Sequence, residues 1–348
     1  MTIKIGLVGC GFISRSHLRG WRRVPDAEVV AVSDVDLARA RERAAEFDVP
    51  RVYGSLQEML QAEALDAIDV LTPPPGHKEL VLIAAVYGKP ILCQKPLALE
   101  LSDAEEMIAA CHRHGVRLMV NENTRWDPLV QALRSEIAGG TIGTPFYARF
   151  DSRYPIAWPT TEYPNSFLLN KHRFLTNQTR LIISEKMIHF IDVARFLFGD
   201  AETVYAQTQN VSPLLRGDDL ATLVIKFPQM FIVVESSWCS KGYIRPSRRF
   251  VSGAIEGTEG TIFLGGQRGV TVVSDQRGTY VPAFDPDPQE EETFYRAQAH
   301  FVECLRTGAP FETGPEDNYK TLAIALKAYE SAASNQVVAI PRLDAGGS

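Results

Sequence analysis

Two rhythms of hydrophobic and polar positions alternate along the first third of the chain. Short apolar runs at Ile3 to Val8, Val29 to Ser33, Ala67 to Leu71, Ile91 to Cys93 and Val116 to Val120 have the length and β-branched content of strands buried on both faces. Between them the apolar residues recur at helical spacing. Leu37, Ala40, Ala44 and Phe47 follow an N-cap at Asp36, and Leu56, Met59 and Leu60 follow a Ser55–Glu58 capping box. Lys78 to Tyr87 is stopped by Gly88 and Pro90, and Ala104, Met107, Ile108 and Cys111 form the stripe of a helix capped by Ser102 and Glu105. This βα alternation predicts an α/β fold with a parallel sheet, whose ligands bind at the carboxyl ends of the strands.

The rhythm changes after Asn121-Glu122-Asn123. A helix opens at Pro128, runs over Leu129, Val130, Leu133 and Ile137, and stops at Gly139-Gly140. Longer alternating strands follow at Phe146 to Ser152, Thr203 to Asn210, Asp218 to Phe227, Met230 to Ser237 and Phe250 to Glu256, which predict a large open, mainly antiparallel sheet. The expected division is therefore a nucleotide-binding domain over residues 1–122 and an α+β domain over residues 123–348. Two helices, about Thr293 to Arg306 and Pro315 to Ser334, are available to cover the second sheet. Strands such as Ala221 to Ile225 and Phe231 to Val234 carry more apolar surface than two helices hide, so self-association is expected.

The first strand runs straight into Gly9-Cys10-Gly11-Phe12-Ile13-Ser14. Gly9 allows a tight turn, Gly11 lets the backbone approach a pyrophosphate, and the helix from Ser14 to Arg23 directs its N-terminal amides at the phosphates. A Gly-x-Gly alone is also an ordinary strand-to-helix turn. Here a second strand ends in Asp34, where a dinucleotide fold expects an acid for the adenosine ribose. With Val35 and Asp36 following rather than an arginine, the corner favours NAD over NADP.

Composition narrows the partners. The 348 residues are 45% hydrophobic and 22% charged, as in a globular chain of about two domains. Thirty-six basic against 42 acidic side chains give a net charge of −6, with no field that would favour nucleic acid or an anionic membrane. Cys10, Cys93, Cys111, Cys239 and Cys304 are widely spaced with no C-x-x-C pair, which fits buried thiols in a reducing cytoplasm. The chain enters its first strand at once, without the pattern of a signal peptide, and no apolar run reaches bilayer length. A small-molecule substrate fits best.

The strand at Ile91 delivers Gln94-Lys95-Pro96 to the carboxyl edge, which aims Lys95 at the cofactor crevice rather than leaving it as a surface lysine. A helix predicted from Ser184 to Phe198 places Glu185, His189 and Asp192 at i, i+4 and i+7 on one face. A carboxylate there can hold an imidazole and raise its proton affinity, a workable acid–base pair. A solvent-exposed i,i+4 pair fits the same spacing, and a metal site would need ligands the sequence does not cluster. Arg125, Trp126, Arg153 and Trp158 are candidates for holding substrate or nicotinamide, although Arg and Trp in such loops are as often structural. The long segment from Arg153 to Thr179, rich in Pro, Asn and aromatics, is expected to border the substrate site.

Together, Gly9-Cys10-Gly11-Phe12-Ile13, Thr72-Pro73 with His77, Gln94-Lys95-Pro96, Arg125, Gly143-Thr144-Pro145 and Glu185-x-x-x-His189-x-x-Asp192 resemble the Gfo/Idh/MocA oxidoreductases. The match covers nearly the whole chain. The resemblance implies a Rossmann domain followed by a domain whose open sheet serves oligomerisation, in a homodimer or homotetramer. It implies NAD bound by Gly9, Gly11, Phe12, Ile13, Asp34, Thr72, Pro73, His77, Gln94, Lys95 and Asn123, no metal, and a sugar or polyol substrate. Lys95 matches the catalytic lysine, His189 the catalytic histidine, and Glu185 its acidic partner. Three positions depart from the usual pattern: Gln94 stands for an acid, Met187 for a glycine, and Ser14 for the third loop glycine. Met187 is bulky enough to narrow a pocket, and Gln94 removes a charge beside the reacting groups. Two other readings of the same residues are a regulator that binds NAD and sugar without turnover, and a reductase of a planar non-sugar ring.

Overall fold

The structure, a computed structural model, describes residues 2–160, 165–171, 173–241, 252–265, 269–285, 288–289 and 291–343. It forms two compact units, one of Met1–Asp127, Pro288–Leu322 and Leu343–Ser348, the other of Pro128–Asp287 and Ala323–Arg342. Among the described residues no helix is long and apolar enough to cross a membrane.

In the first unit strand and helix alternate as β1 (Ile3–Val8), α1 (Ser14–Trp21), β2 (Ala27–Ser33), α2 (Leu37–Glu46), β3 (Arg51–Tyr53), α3 (Leu56–Ala62), β4 (Ala67–Val70), α4 (His77–Val86), β5 (Ile91–Gln94), α5 (Leu101–Arg113) and β6 (Leu118–Asn121). The six strands make one parallel sheet in the order β3-β2-β1-β4-β5-β6. Ile5, Leu7, Val32, Ile68, Leu92 and Met119 are fully buried, as strands covered on both faces require. Because β1 lies between β2 and β4, the chain switches direction there, and the crevice beyond their carboxyl ends is the ligand position of such sheets. Asp36 caps α2 through the N–H groups of Ala38 and Arg39, and Ser55 caps α3 through Glu58 N–H. The cap expected at Ser102 does not form. Helix α5 begins one residue earlier, at Leu101, preceded by Glu100.

The second unit contains α6 (Pro128–Ala138), β7 (Pro145–Arg153), α7 (Phe167–Lys171), α8 (Ile188–Phe198), β8 (Thr203–Gln209), β9 (Leu220–Lys226), β10 (Phe231–Ser237), β11 (Ser252–Gly257), β12 (Gly260–Leu264), β13 (Val270–Ser274) and β14 (Gly278–Tyr280). The chain ends with α9 (Glu292–Thr307), α10 (Pro315–Ser334) and β15 (Val338–Ala339). Nine strands pair as β14-β13-β12-β11-β7-β10-β9-β8-β15, antiparallel except for β7 with β10. One face of this sheet is core: Ala148, Phe150, Leu223, Ile225, Ile232 and Val234 pack with Leu133, Phe190, Ile191 and Ala194 of α6 and α8. The other face carries Val224, Phe231, Phe263 and Val273, all exposed. Phe250, expected to start a strand, lies outside the described residues.

Two expectations are corrected here. The sequence pattern assigns both late helices to the second sheet and everything after residue 122 to the second domain. Instead α9 belongs with the first unit, where Phe301 meets Trp21 edge to face and the Gln298 amide donates to His17 O. Its apolar stripe, Ala297, Phe301 and Val302, completes the core beside α1. Helix α10 is divided, with Tyr319 bonded to Glu105 in the first unit and Ile324, Ala325 and Ala328 in the core of the second.

Candidate active site

The loop after β1 is built as the glycines require. Gly9 has φ +98°, and a Cβ there would lie 2.8 Å from the backbone of Leu71 and Thr72 at the end of β4, so only glycine fits. A Cβ on Gly11 would meet nothing within 4 Å, which leaves open space over that residue's backbone. Ser14, in place of a third glycine, turns its hydroxyl to Gly11 O at 2.6 Å and receives the Arg43 guanidinium at 3.0 Å. Arg43 is buried and is paired with Glu46. The serine thus does more than fill space: it joins the loop to α2, a contact with no sequence signature.

Asp34, at the end of β2, accepts the Cys10 N–H at 2.8 Å and the Asp36 N–H at 2.8 Å. The acid is therefore fixed against the glycine loop, with capacity left on its oxygens for further donors. The sequence shows no arginine next to this acid. The first turn of α2 brings Arg39 there, 3.9 Å from Asp34 and 3.1 Å from Asp36, so its charge is met by two carboxylates. Burial, with the Asp34 charge added, pushes the Cys10 thiol up to about 12. Open space over Gly11, a helix N-terminus beyond it and a fixed carboxylate together fit a dinucleotide.

At the next loop Thr72 is half-buried and its Oγ1 is enclosed without a hydrogen-bond partner among the described residues. His77, expected in the loop, is the fully buried first residue of α4 after a 3-10 turn at Pro74–Gly76. Its ring nitrogens lie 3.0 Å from Pro96 O and 2.8 Å from Thr72 O. His77 therefore ties the Thr72 loop to the Lys95 loop. Lys95 stands half-buried just beyond β5, at the carboxyl edge, before a cis Lys95–Pro96 bond. Gln94 is buried and points to His17 and to the Lys95 backbone. Asn123 donates to Thr293 Oγ1 at 2.6 Å.

Arg125 and Trp126, expected to hold substrate, are both buried. Arg125 is buried, with its guanidinium on Glu312 O at 3.0 Å and Asp317 at 2.5 Å, and Trp126 is buried against the His300 ring. Both belong to a 3-10 turn, Asn123–Trp126, of which they are the buried residues.

In the second unit the helix expected over residues 184–198 is interrupted. Ile183–Met187 is a π-helical turn, and α8 starts only at Ile188. Such turns widen the helix locally and are frequent at functional sites. Glu185 lies in the wide turn and His189 in the first turn of α8, both half-buried, while Asp192 is fully buried. The amino end of the segment is held from outside it. Asp218 accepts the N–H groups of Leu181 and Ile182, and Tyr329 accepts that of Ser184. Met187 is in the hydrophobic core of this unit, which absorbs the bulk that its replacement of a glycine introduces.

Strand alternation puts Phe150 and Ser152 in the core, and Arg153 pairs with Asp151 at 2.9 Å on the open face of the sheet. Trp158 donates its indole N–H to Cys239 O at 3.0 Å, and Lys241 stands over its ring. Part of the segment from Arg153 to Thr179 lies outside the described residues. Among those described, no cluster of three or more His, Cys, Asp or Glu side chains is placed to hold a metal ion.

Comparisons with known proteins agree with this geometry. Residues 3–122 match an oxidoreductase family described by its NAD-binding Rossmann fold, and residues 130–263 match the GFO/IDH/MocA C-terminal domain. The chain is 36% identical to D-apiose dehydrogenase of Paraburkholderia graminis, covering 98% of this chain and 91% of that protein. It is 28% identical to myo-inositol 2-dehydrogenase of Thermotoga maritima, covering 94% and 96%. A crystal structure of an oxidoreductase from Agrobacterium radiobacter, in complex with NAD+, L-tartaric acid and magnesium, superposes with a TM-score of 0.89 at 31% identity, covering 98% of this chain and 99% of that one.

Proposed function

We propose, for a chain that belongs to the Gfo/Idh/MocA family and is an NAD-dependent oxidoreductase acting on CH–OH groups, that its substrate is a secondary alcohol of a sugar, sugar derivative or cyclic polyol, or the matching ketone, with Lys95 and His189 as acid–base groups. The observation that carries this reading is a complete dinucleotide cradle in one unit with a half-buried lysine at the carboxyl edge of the same sheet. NAD, when bound, supplies the hydride acceptor.

The chain's own residues do the remaining work. Backbone amides of the Gly9–Ser14 loop and the start of α1 receive the phosphates, and Asp34 accepts the ribose hydroxyls. Lys95 takes the hydroxyl proton during oxidation and returns it during reduction. His189 shares that work, and Glu185 in the π-turn orients its ring. Half-burial of these three groups lowers the local dielectric and strengthens each charge interaction. His77 and Thr72 hold the Lys95 loop against the cofactor crevice.

The relatives named for apiose and myo-inositol support a polyhydroxylated substrate, and L-tartaric acid, bound in the similar crystal structure, is itself a secondary alcohol. The open face of the nine-stranded sheet joins copies of the chain into a dimer or tetramer, and free thiols fit a cytoplasmic protein. The test is a panel containing D-apiose, myo-inositol and other sugars and polyols with NAD, followed by NADH absorbance. Turnover on at least one secondary alcohol is expected. Bound NAD with no turnover on any of them would instead indicate a regulator.

A further inference from the structure

A buried polar chain lies beneath the Lys95 loop. His17, on α1, is fully buried. Its Nδ1 is 2.8 Å from Asp69 Oδ2, which also receives the Trp21 indole N–H at 2.7 Å. On the other side His17 Nε2 is 2.7 Å from the Gln94 amide nitrogen and 3.0 Å from that of Asn121. Gln94 is oriented by a separate bond, because its Oε1 accepts the Lys95 backbone N–H at 3.1 Å. The amide nitrogen is therefore the atom that faces His17, and it can only donate. A proton on Nε2 would confront it, and the Asn121 amide as well.

We propose that His17 is the positioning residue for Lys95: as the neutral Nδ1–H imidazole held by Asp69, it accepts the Gln94 amide and so turns the Gln94 carbonyl to the Lys95 backbone. The inference rests on the proposed role of Lys95 in proton transfer, and it explains why an amide stands where an acid is usual. The amide is matched to the bare nitrogen of His17. A carboxylate in place of Gln94 has no proton to donate and would require one on Nε2, making His17 a cation between that carboxylate and Asp69. The Phe294 ring covers that of His17 at 5.1 Å, and the Cys93 thiol is held protonated by burial and by the Asp69 charge. Gln94 thus acts on the histidine beneath it and on the loop backbone, instead of tuning the lysine ammonium as the sequence position alone implies.

Nitrogen-15 NMR of histidine-labelled protein tests the protonation state directly, with His17 assigned by its loss in His17→Gln. The wild type is expected to show His17 protonated at Nδ1 and bare at Nε2, and Gln94→Glu to show both nitrogens protonated. A wild-type His17 carrying its proton on Nε2, or on both nitrogens, overturns the proposal. Gln94→Met supplies the kinetic arm, since it keeps the volume and removes both bonds. Its kcat is expected to fall about tenfold, the size of one lost positioning hydrogen bond. Unchanged kcat in Gln94→Met also overturns the proposal, provided that Lys95→Ala is inactive. An active Lys95→Ala would instead remove the lysine's assigned role while the NMR result still decides the state of His17.

Discussion

The Tyr329 hydroxyl lies 3.3 Å from Asp218 Oδ2, and together the two hold the amino end of the segment that carries Glu185 and His189. Burial pushes the Asp218 carboxyl up despite the amides that donate to it, and pushes the Tyr329 hydroxyl up further. A carboxyl raised on folding stabilises the fold fully below its unfolded value, and that contribution is lost as pH rises through the folded value. The stability advantage of wild type over Asp218→Asn should therefore shrink as pH rises from about 4 toward neutrality, as measured by urea unfolding. A growing advantage would contradict the assignment. Tyr329→Phe, which removes the acceptor for Ser184 N–H, should cost about 1–2 kcal/mol in the same assay.

The adenosine corner predicts preference for NAD. Asp34 is held in place by two backbone N–H groups, and Arg39, on the first turn of α2, is met by Asp34 and Asp36. A 2′-phosphate would meet those carboxylates. Asp34→Ala should raise the kcat/KM ratio of NADP over NAD by about tenfold or more, by removing the repulsion and freeing Arg39. Equal efficiency of the wild type with both cofactors would refute the reading.

Cys10 lies in the phosphate loop, yet its thiol should be inert. Burial, with the Asp34 charge added, holds the thiol protonated, and the thiolate is the reactive form. Iodoacetamide should leave Cys10 unmodified in the folded protein, with no loss of activity, as read by peptide mass spectrometry. Rapid alkylation at this position would show that the loop opens.

The exposed row of Val224, Phe231, Phe263 and Val273 on the second sheet predicts self-association. Sedimentation at micromolar concentration should give a dimer or tetramer, and Phe231→Glu with Phe263→Glu should shift it toward monomer. A monomeric wild type would contradict this.

Legibility in the sequence followed the range of the interactions. The parallel sheet, the glycine loop and the cap at Asp36 rest on contacts a few residues apart or on strand periodicity, and they could be read directly. Residues whose surroundings come from distant segments could not. Arg125 reads as a loop arginine until Asp317 and Glu312 close on it, and Trp126 until His300 does. The π-turn at Ile183–Met187 reads as continuous α-helix in the sequence, because the groups that hold its amino end, Asp218 on the N–H groups just before it and Tyr329 on Ser184 N–H, are far along the chain. For α9 the helix itself was legible, but which sheet it served was not. The role of Gln94 depends on His17, 77 residues earlier.

The central claim is that Lys95 and His189 move the proton while NAD binding comes from other residues. Single-turnover reduction of NAD by the best substrate of the panel, measured by stopped flow for Lys95→Ala and His189→Ala alongside the NAD Kd, tests it most directly. Each variant should lose ~10²–10⁴-fold in the hydride-transfer rate, the range for general acid–base groups, with Kd within about twofold of wild type. A transfer rate near that of wild type in either variant would contradict the role assigned to that residue.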